Sequence, residues 1–169
     1  MTIRPLVPAD FAAYRAVRLR ALAEHPDAFT SSADEEASAE GDARMARRLS
    51  PPPSAPHDGM LGALDDGALV GTIGMTVDMR AKCRHRGLVV GMYVVPERAR
   101  EGIGRALLDA QIARARAVRL AGLTLTVTAG NARALRLYER AGFAVVGRDP
   151  DAMRVGDVSY DKLHLHMRL

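Results

Sequence analysis

The spacing of apolar positions along this chain changes repeatedly, and each change marks an element. Thr2-Ile3-Arg4 and Leu6 read as a short first strand. From Pro8-Ala9-Asp10 to about Glu24, Phe11, Tyr14 or Ala13, Val17 and Leu22 recur near helical spacing, and His25-Pro26-Asp27 breaks the helix. A second helix starts at Ser32, its N-cap. It is acidic at first (Asp34, Glu35, Glu36) and basic at its end (Arg44, Arg47, Arg48). That polarity complements the helix dipole, and it equally suits a solvated face. Ser50 to Pro56 is a proline-rich loop. It does not divide domains, because one short strand and two helices cannot supply a core of their own.

In the second half, Met60–Leu64 and Ala68–Val77 flank Asp65-Asp66-Gly67, a strong hairpin pattern. A basic loop, Arg80 to Arg86, holds Lys82, Arg84, His85 and Arg86. Gly87 to Val95 is apolar almost throughout, as expected of a central strand covered on both faces. A helix from Gly102 to about Arg119 is predicted to bury Ile103, Ala106, Leu107, Ala110, Ala113 and Ala117. Leu123–Val127 alternates as a strand, so strand, helix and strand form a βαβ unit with parallel neighbours. Asn131 caps a helix to about Ala141, and Gly142 stops it. Phe143–Val146, a turn-rich stretch from Asp149 to Asp157, and an alternating strand Leu163–Met167 complete the chain.

The chemistry concentrates where the central strand ends. After Pro96 comes a short basic loop, and Gly102 and Gly104 open the long helix. Glycine lets backbone amides approach a ligand, and a helix N-terminus offers free N–H donors at the positive end of its dipole. With Arg98, Arg100 and Arg105 beside it, this is a cradle for a polyanion such as phosphate. A dinucleotide fingerprint fits less well, since Leu107 stands where its third glycine belongs, and no Gly-Lys-Ser/Thr follows for a P-loop. At 169 residues and 48% apolar composition, the chain suits one globular domain, residues 1–169. A net charge of +4 is modest for a nucleic-acid binder. Cys83 is the sole cysteine, no secretory segment opens the chain, and no apolar run approaches membrane-spanning length. A cytoplasmic protein is expected.

Two stretches together carry a resemblance. Tyr93-Val94-Val95-Pro96 through Gly102-Ile103-Gly104-Arg105-Ala106-Leu107-Leu108, followed by Asn131 through Tyr138 to Gly142-Phe143, resemble the GCN5-related N-acetyltransferase (GNAT) family. The element order agrees along the whole chain. The resemblance implies an α/β fold, a mixed, mostly antiparallel twisted sheet of about seven strands with about four helices. It implies acetyl-CoA as cosubstrate, without a metal, and direct transfer of the acetyl group to a primary amine. By this resemblance, amides around Val94 and Val95 polarise the thioester carbonyl. Arg100, Gly102, Ile103, Gly104, Arg105 and Ala106 face the pyrophosphate, Asn131 binds the pantetheine arm, and Tyr138 protonates the CoA sulfur. One position departs from the family pattern: Ala99 stands where Gln or Arg usually leads the pyrophosphate loop.

A general base is not assigned, because Gly87–Val95 contains no carboxylate. Tyr93, His85, Glu35, His164, His166 and a water chain are the candidates. His164 and His166 share one face of the last strand, a spacing that also suits a metal but lacks a third ligand. Arg84 and Arg86 suit the CoA 3′-phosphate, an acidic acceptor or plain solvation. The expected partner is a small-molecule or peptide amine, with no nucleic acid or membrane, on a monomer or homodimer. The rival expectation is a non-catalytic acyl-CoA-binding sensor or interaction module on the same fold.

Overall fold

In a computed structural model describing residues 1–169, these patterns become one sheet of seven strands. The strands are β1 (Thr2–Pro5), β2 (Gly59–Asp65), β3 (Ala68–Val77), β4 (Arg86–Val94), β5 (Gly122–Thr128), β6 (Ala144–Val155) and β7 (Val158–Arg168). Five helices accompany them: α1 (Phe11–Glu24), α2 (Ala33–Ala37), α3 (Ala39–Leu49), α4 (Ile103–Ala117) and α5 (Ala132–Arg140). The strand order is β1-β2-β3-β4-β5-β7-β6. Only β4 and β5 run parallel, joined through α4 as the βαβ pattern requires. The mixed, mostly antiparallel α/β architecture is therefore the expected one. No helix is long and apolar enough to cross a membrane.

Three expectations need correction. The helix predicted from Ser32 to about Arg48 is two helices, divided at Ser38. Ser38 has extended backbone, and its hydroxyl accepts the Gly41 amide at 3.1 Å, so it caps a new helix. The stretch Asp149–Asp157 is mostly strand: β6 runs to Val155, and only Gly156-Asp157 turns. A break in register between Asp149 and Met153 accommodates Pro150, while Asp161 of β7 accepts the Asp151 amide and the Arg148 guanidinium. Finally, α4 buries Ile103, Leu107, Leu108, Gln111, Ile112 and Ala115, while Ala113 and Ala117 are exposed. Burial follows apolar area, and Leu108 and Ile112 have far more of it to hide than an alanine does.

The main core lies between α4 and the central strands, with Leu107, Leu108, Ile73, Met75 and Leu123 fully buried. A smaller cluster of Leu6, Tyr14, Met45, Leu49, Met60 and Leu69 fills the space under α1 and α3. Leu107 packs so closely that a Cβ built on Gly71 of β3 would lie 3.0 Å from its Cδ1. Leu107→Ala is expected to cost about 2–5 kcal/mol of stability, read from the urea midpoint at unchanged m-value. A loss under about 1 kcal/mol would contradict that packing.

Candidate active site

The central strand makes the site by losing its neighbour. β4 pairs with β5 only at Arg86↔Gly122, Gly87↔Leu123 and Leu88↔Thr124. From Val89 to Val94 that edge of β4 has no adjacent strand, so its polar groups on this side are free for a ligand. On the other edge the register with β3 slips: Thr72 faces Tyr93, yet Gly74 faces Val90. Gly91 and Met92 thus oppose Ile73 alone, in a bulge that needs the left-handed backbone of Gly91 (φ 60°). Thr72 Oγ1 ties it by donating to the Gly91 carbonyl at 2.9 Å. An isolated glycine in an apolar strand was the available sign of this bulge. Beyond it, Met92 turns toward α5 and Tyr93 toward α1.

A cleft of about 810 Å³ occupies this gap. One flank is the start of α4. Its N-cap, Gly102, has left-handed backbone (φ 81°), as does Arg100 (φ 69°). The amides of Ile103, Gly104 and Arg105 precede the first helical bond, from Ala106 N to Gly102 O at 3.0 Å, and are left to a ligand. Gly104 faces inward: a Cβ there would lie 3.4 Å from Met92 Cε. The arginines differ in availability. Arg98 is held by Asp65 at 2.5 Å and Glu101 at 2.8 Å, and Arg105 pairs with Asp109 at 2.8 Å. Arg100 has no such partner, and neither do Arg133, Arg136 and Arg140 of α5, which line the same cleft. Sequence reasoning missed these last three, whose spacing puts them along one side of α5.

The second flank is α5. Asn131 caps it, accepting the Ala134 amide on Oδ1 at 3.0 Å, and also lines the cleft. Tyr138 is 8% exposed, packs edge-on against Phe143 at 5.9 Å, and reaches Met92 Sδ with its hydroxyl at 3.3 Å. A thioether is a weak acceptor, so the proton has no strong protein partner. Burial pushes the Tyr138 phenol up to about 12, which keeps it protonated at neutral pH.

His25, Asp27, Ala28, Phe29 and Tyr93 also line the cleft. Tyr93 donates to Glu24 at 2.6 Å, Arg20 donates to the other oxygen of Glu24 at 2.7 Å, and Arg20 also reaches Glu97 at 2.5 Å. This chain fastens the end of α1 to β4 and to the turn before the glycine loop. Burial and the Glu24 bond push the Tyr93 phenol far above its usual range, and the Tyr93 and Arg20 bonds hold Glu24 below its own.

Of the ten residues expected to bind cofactor, Val94, Arg100, Gly102, Ile103, Gly104, Arg105, Asn131 and Tyr138 line this one cleft. Val95 and Ala106 do not. The Val95 amide is spent on Val70 O at 3.0 Å, and that of Ala106 on its own helix. Among the candidate bases only Tyr93 lies here. Glu35 is engaged with Ser32 in the cap of α2, His85 is exposed before β4, and His164 and His166 lie on β7 outside the lining. Arg84 and Arg86 are also outside it. His25 escaped notice because the sequence presents it as part of a helix break.

A sequence model described as the acetyltransferase (GNAT) family matches residues 20–143. A mycothiol acetyltransferase of Frankia casuarinae is 32% identical over 157 residues, covering 88% of this chain and 43% of that protein. One from Propionibacterium freudenreichii is 44% identical over 66 residues, or 39% and 21% of the two chains. The present chain spans less than half the length of these relatives. Among solved structures, a putative acetyltransferase from Salmonella typhimurium with its cofactor acetyl-CoA superposes with a TM-score of 0.81 at 23% identity, covering 100% of this chain and 94% of the other. A GCN5-related N-acetyltransferase from Kribbella flavida gives 0.83 at 21% identity, covering 99% and 97%. These two share the fold.

Proposed function

The chain belongs to the acetyltransferase (GNAT) family, and from that membership we propose that residues 1–169 act as one unit that transfers acetyl from acetyl-CoA to a primary amine. The observation that carries this is the single cleft uniting three parts: the unpaired edge of β4, the amide-rich start of α4, and the Asn131–Tyr138 side of α5. Pantetheine lies along the β4 edge as an added strand would. The pyrophosphate sits on the amides of Ile103, Gly104 and Arg105, with Arg100 as the unpaired cation of the loop. With Ala99 in the leading position, backbone amides do most of the holding.

In the reaction the amine nitrogen bonds to the thioester carbon, and the carbonyl electron pair moves onto oxygen. The C–S bond then breaks, its electron pair goes to sulfur, and Tyr138 supplies the proton. Cys83 lies outside the cleft, in the turn before β4. The acyl group therefore passes directly to the amine.

Calorimetry with acetyl-CoA is expected to give one site. CoA release should follow addition of at least one amine from a panel of alaninamide, butylamine, spermidine and a hexapeptide with a free N-terminus. The relatives' name adds the amine precursor of mycothiol to that panel. Tight binding without turnover of any amine would favour the sensor instead. Cys83→Ser should keep turnover within about twofold, and an inactive but folded variant would restore a covalent acyl-enzyme.

A further inference from the structure

Transfer to an amine needs a group that removes the nitrogen's proton, and none of the sequence candidates in the cleft is suited to it. Tyr93 is the one that lines the cleft, and its phenol is fixed as a donor to Glu24 at 2.6 Å. A neutral phenol held protonated in that way is not a base for the amine's proton. Glu24 itself is not among the lining residues, and both its oxygens are engaged, by Tyr93 and Arg20.

We infer that His25 is the general base, resting on the amine-transfer function proposed above. It is the only imidazole that lines the cleft. Its ring centroid lies 6.1 Å from that of Tyr93, with the planes at 57°. No side-chain hydrogen bond or ion pair engages the ring, and the residue is exposed, so a captured proton can leave to solvent.

His25 is the C-cap of α1, its backbone amide donating to Ala21 O, which fixes the residue at the helix end. The neighbouring Glu24 carboxylate is clamped by Arg20 and Tyr93. Asp27 is the one acid among the lining residues, and Tyr93 is the titratable group that β4 contributes. A carboxylate ordinarily titrates near pH 4 and is a poor match to an amine, while an imidazole changes charge between about pH 5 and 8. The Tyr93–Glu24 hydrogen bond fixes the ring that His25 packs beside, so these two are positioning residues.

In the balanced step, the neutral amine attacks and the C–N bond forms. His25 takes one N–H proton and becomes imidazolium, and the C–S bond breaks toward a sulfur that receives the Tyr138 proton. His25 releases its proton to solvent, and Tyr138 regains one, which restores both groups.

The test uses the full chain, acetyl-CoA and the fastest amine of the panel. His25→Asn should lower kcat/KM about 100-fold or more and remove the acidic limb of its pH profile, with the acetyl-CoA Kd unchanged. Added imidazole should restore part of the rate to His25→Ala, which a structural role would not allow. A His25→Asn rate within about threefold of wild type, a retained acidic limb, or no rescue by imidazole overturns the assignment while amine transfer stands. A wild-type protein that binds acetyl-CoA but turns over no amine overturns both.

Discussion

Gly102→Asp is expected to weaken acetyl-CoA binding by about 100-fold while the protein stays folded. Two effects combine. The N-cap backbone at φ 81° suits glycine, and holding another residue there costs about 1–2 kcal/mol. The new carboxylate also stands among the amides proposed to receive the pyrophosphate. Two unit charges about 4 Å apart repel by about 1 kcal/mol in water and about 4 kcal/mol at an effective dielectric near 20. Since tenfold in affinity is about 1.4 kcal/mol, the repulsion alone spans roughly five- to several-hundred-fold. Gly102→Ala separates the two effects, because a Cβ at this position meets nothing within 4 Å. It should keep affinity within about tenfold. Calorimetry on both variants, with thermal unfolding as a control, decides the matter. Unchanged affinity in Gly102→Asp would remove the phosphate from this helix end.

What the sequence revealed was whatever a few adjacent residues decide. Gly102 and Gly104 before an apolar helix, and Asn131 with Tyr138 two turns on, are local patterns, and the structure lines one cleft with all four. The parallel β4–β5 pair follows from the βαβ order in the same way. Long-range partnerships were hidden. Arg98 looks as available as Arg100 until the fold brings Asp65, thirty-three residues away, against its guanidinium. Glu24 and Tyr93 are sixty-nine residues apart, and only the packing of α1 on the sheet joins them. His25 was hidden differently, behind Pro26. A helix break explains its neighbours so readily that a side chain facing the cleft had no local sign. The strand in Asp149–Val155 shows the converse, where pairing with β7 overrides residues that favour turns.

Tyr138→Phe is expected to lower kcat about 10- to 100-fold and to leave the acetyl-CoA Kd within about twofold. The hydroxyl contributes little to the fold, since its one protein partner is the Met92 thioether at 3.3 Å. A phenylalanine keeps the edge-on packing against Phe143. What disappears is the donor proposed above to protonate the departing sulfur. With the phenol pushed up to about 12, Tyr138 carries its proton at every working pH. An alkyl thiol ordinarily ionises near pH 8.5, so in water this phenol would yield that proton reluctantly. The desolvation that raises the phenol also raises a thiol formed in the same enclosed space, which brings the two closer to balance. Without the hydroxyl, the leaving thiolate develops in an apolar pocket with no donor, and that cost falls on the transition state alone. The loss should therefore appear in kcat rather than in cofactor affinity. It should sit near the lower end of the range usual for general acids, because a thiolate leaves more readily than an amine or alkoxide. A wild-type kcat in the folded variant would leave Tyr138 as a core aromatic and assign the proton to solvent.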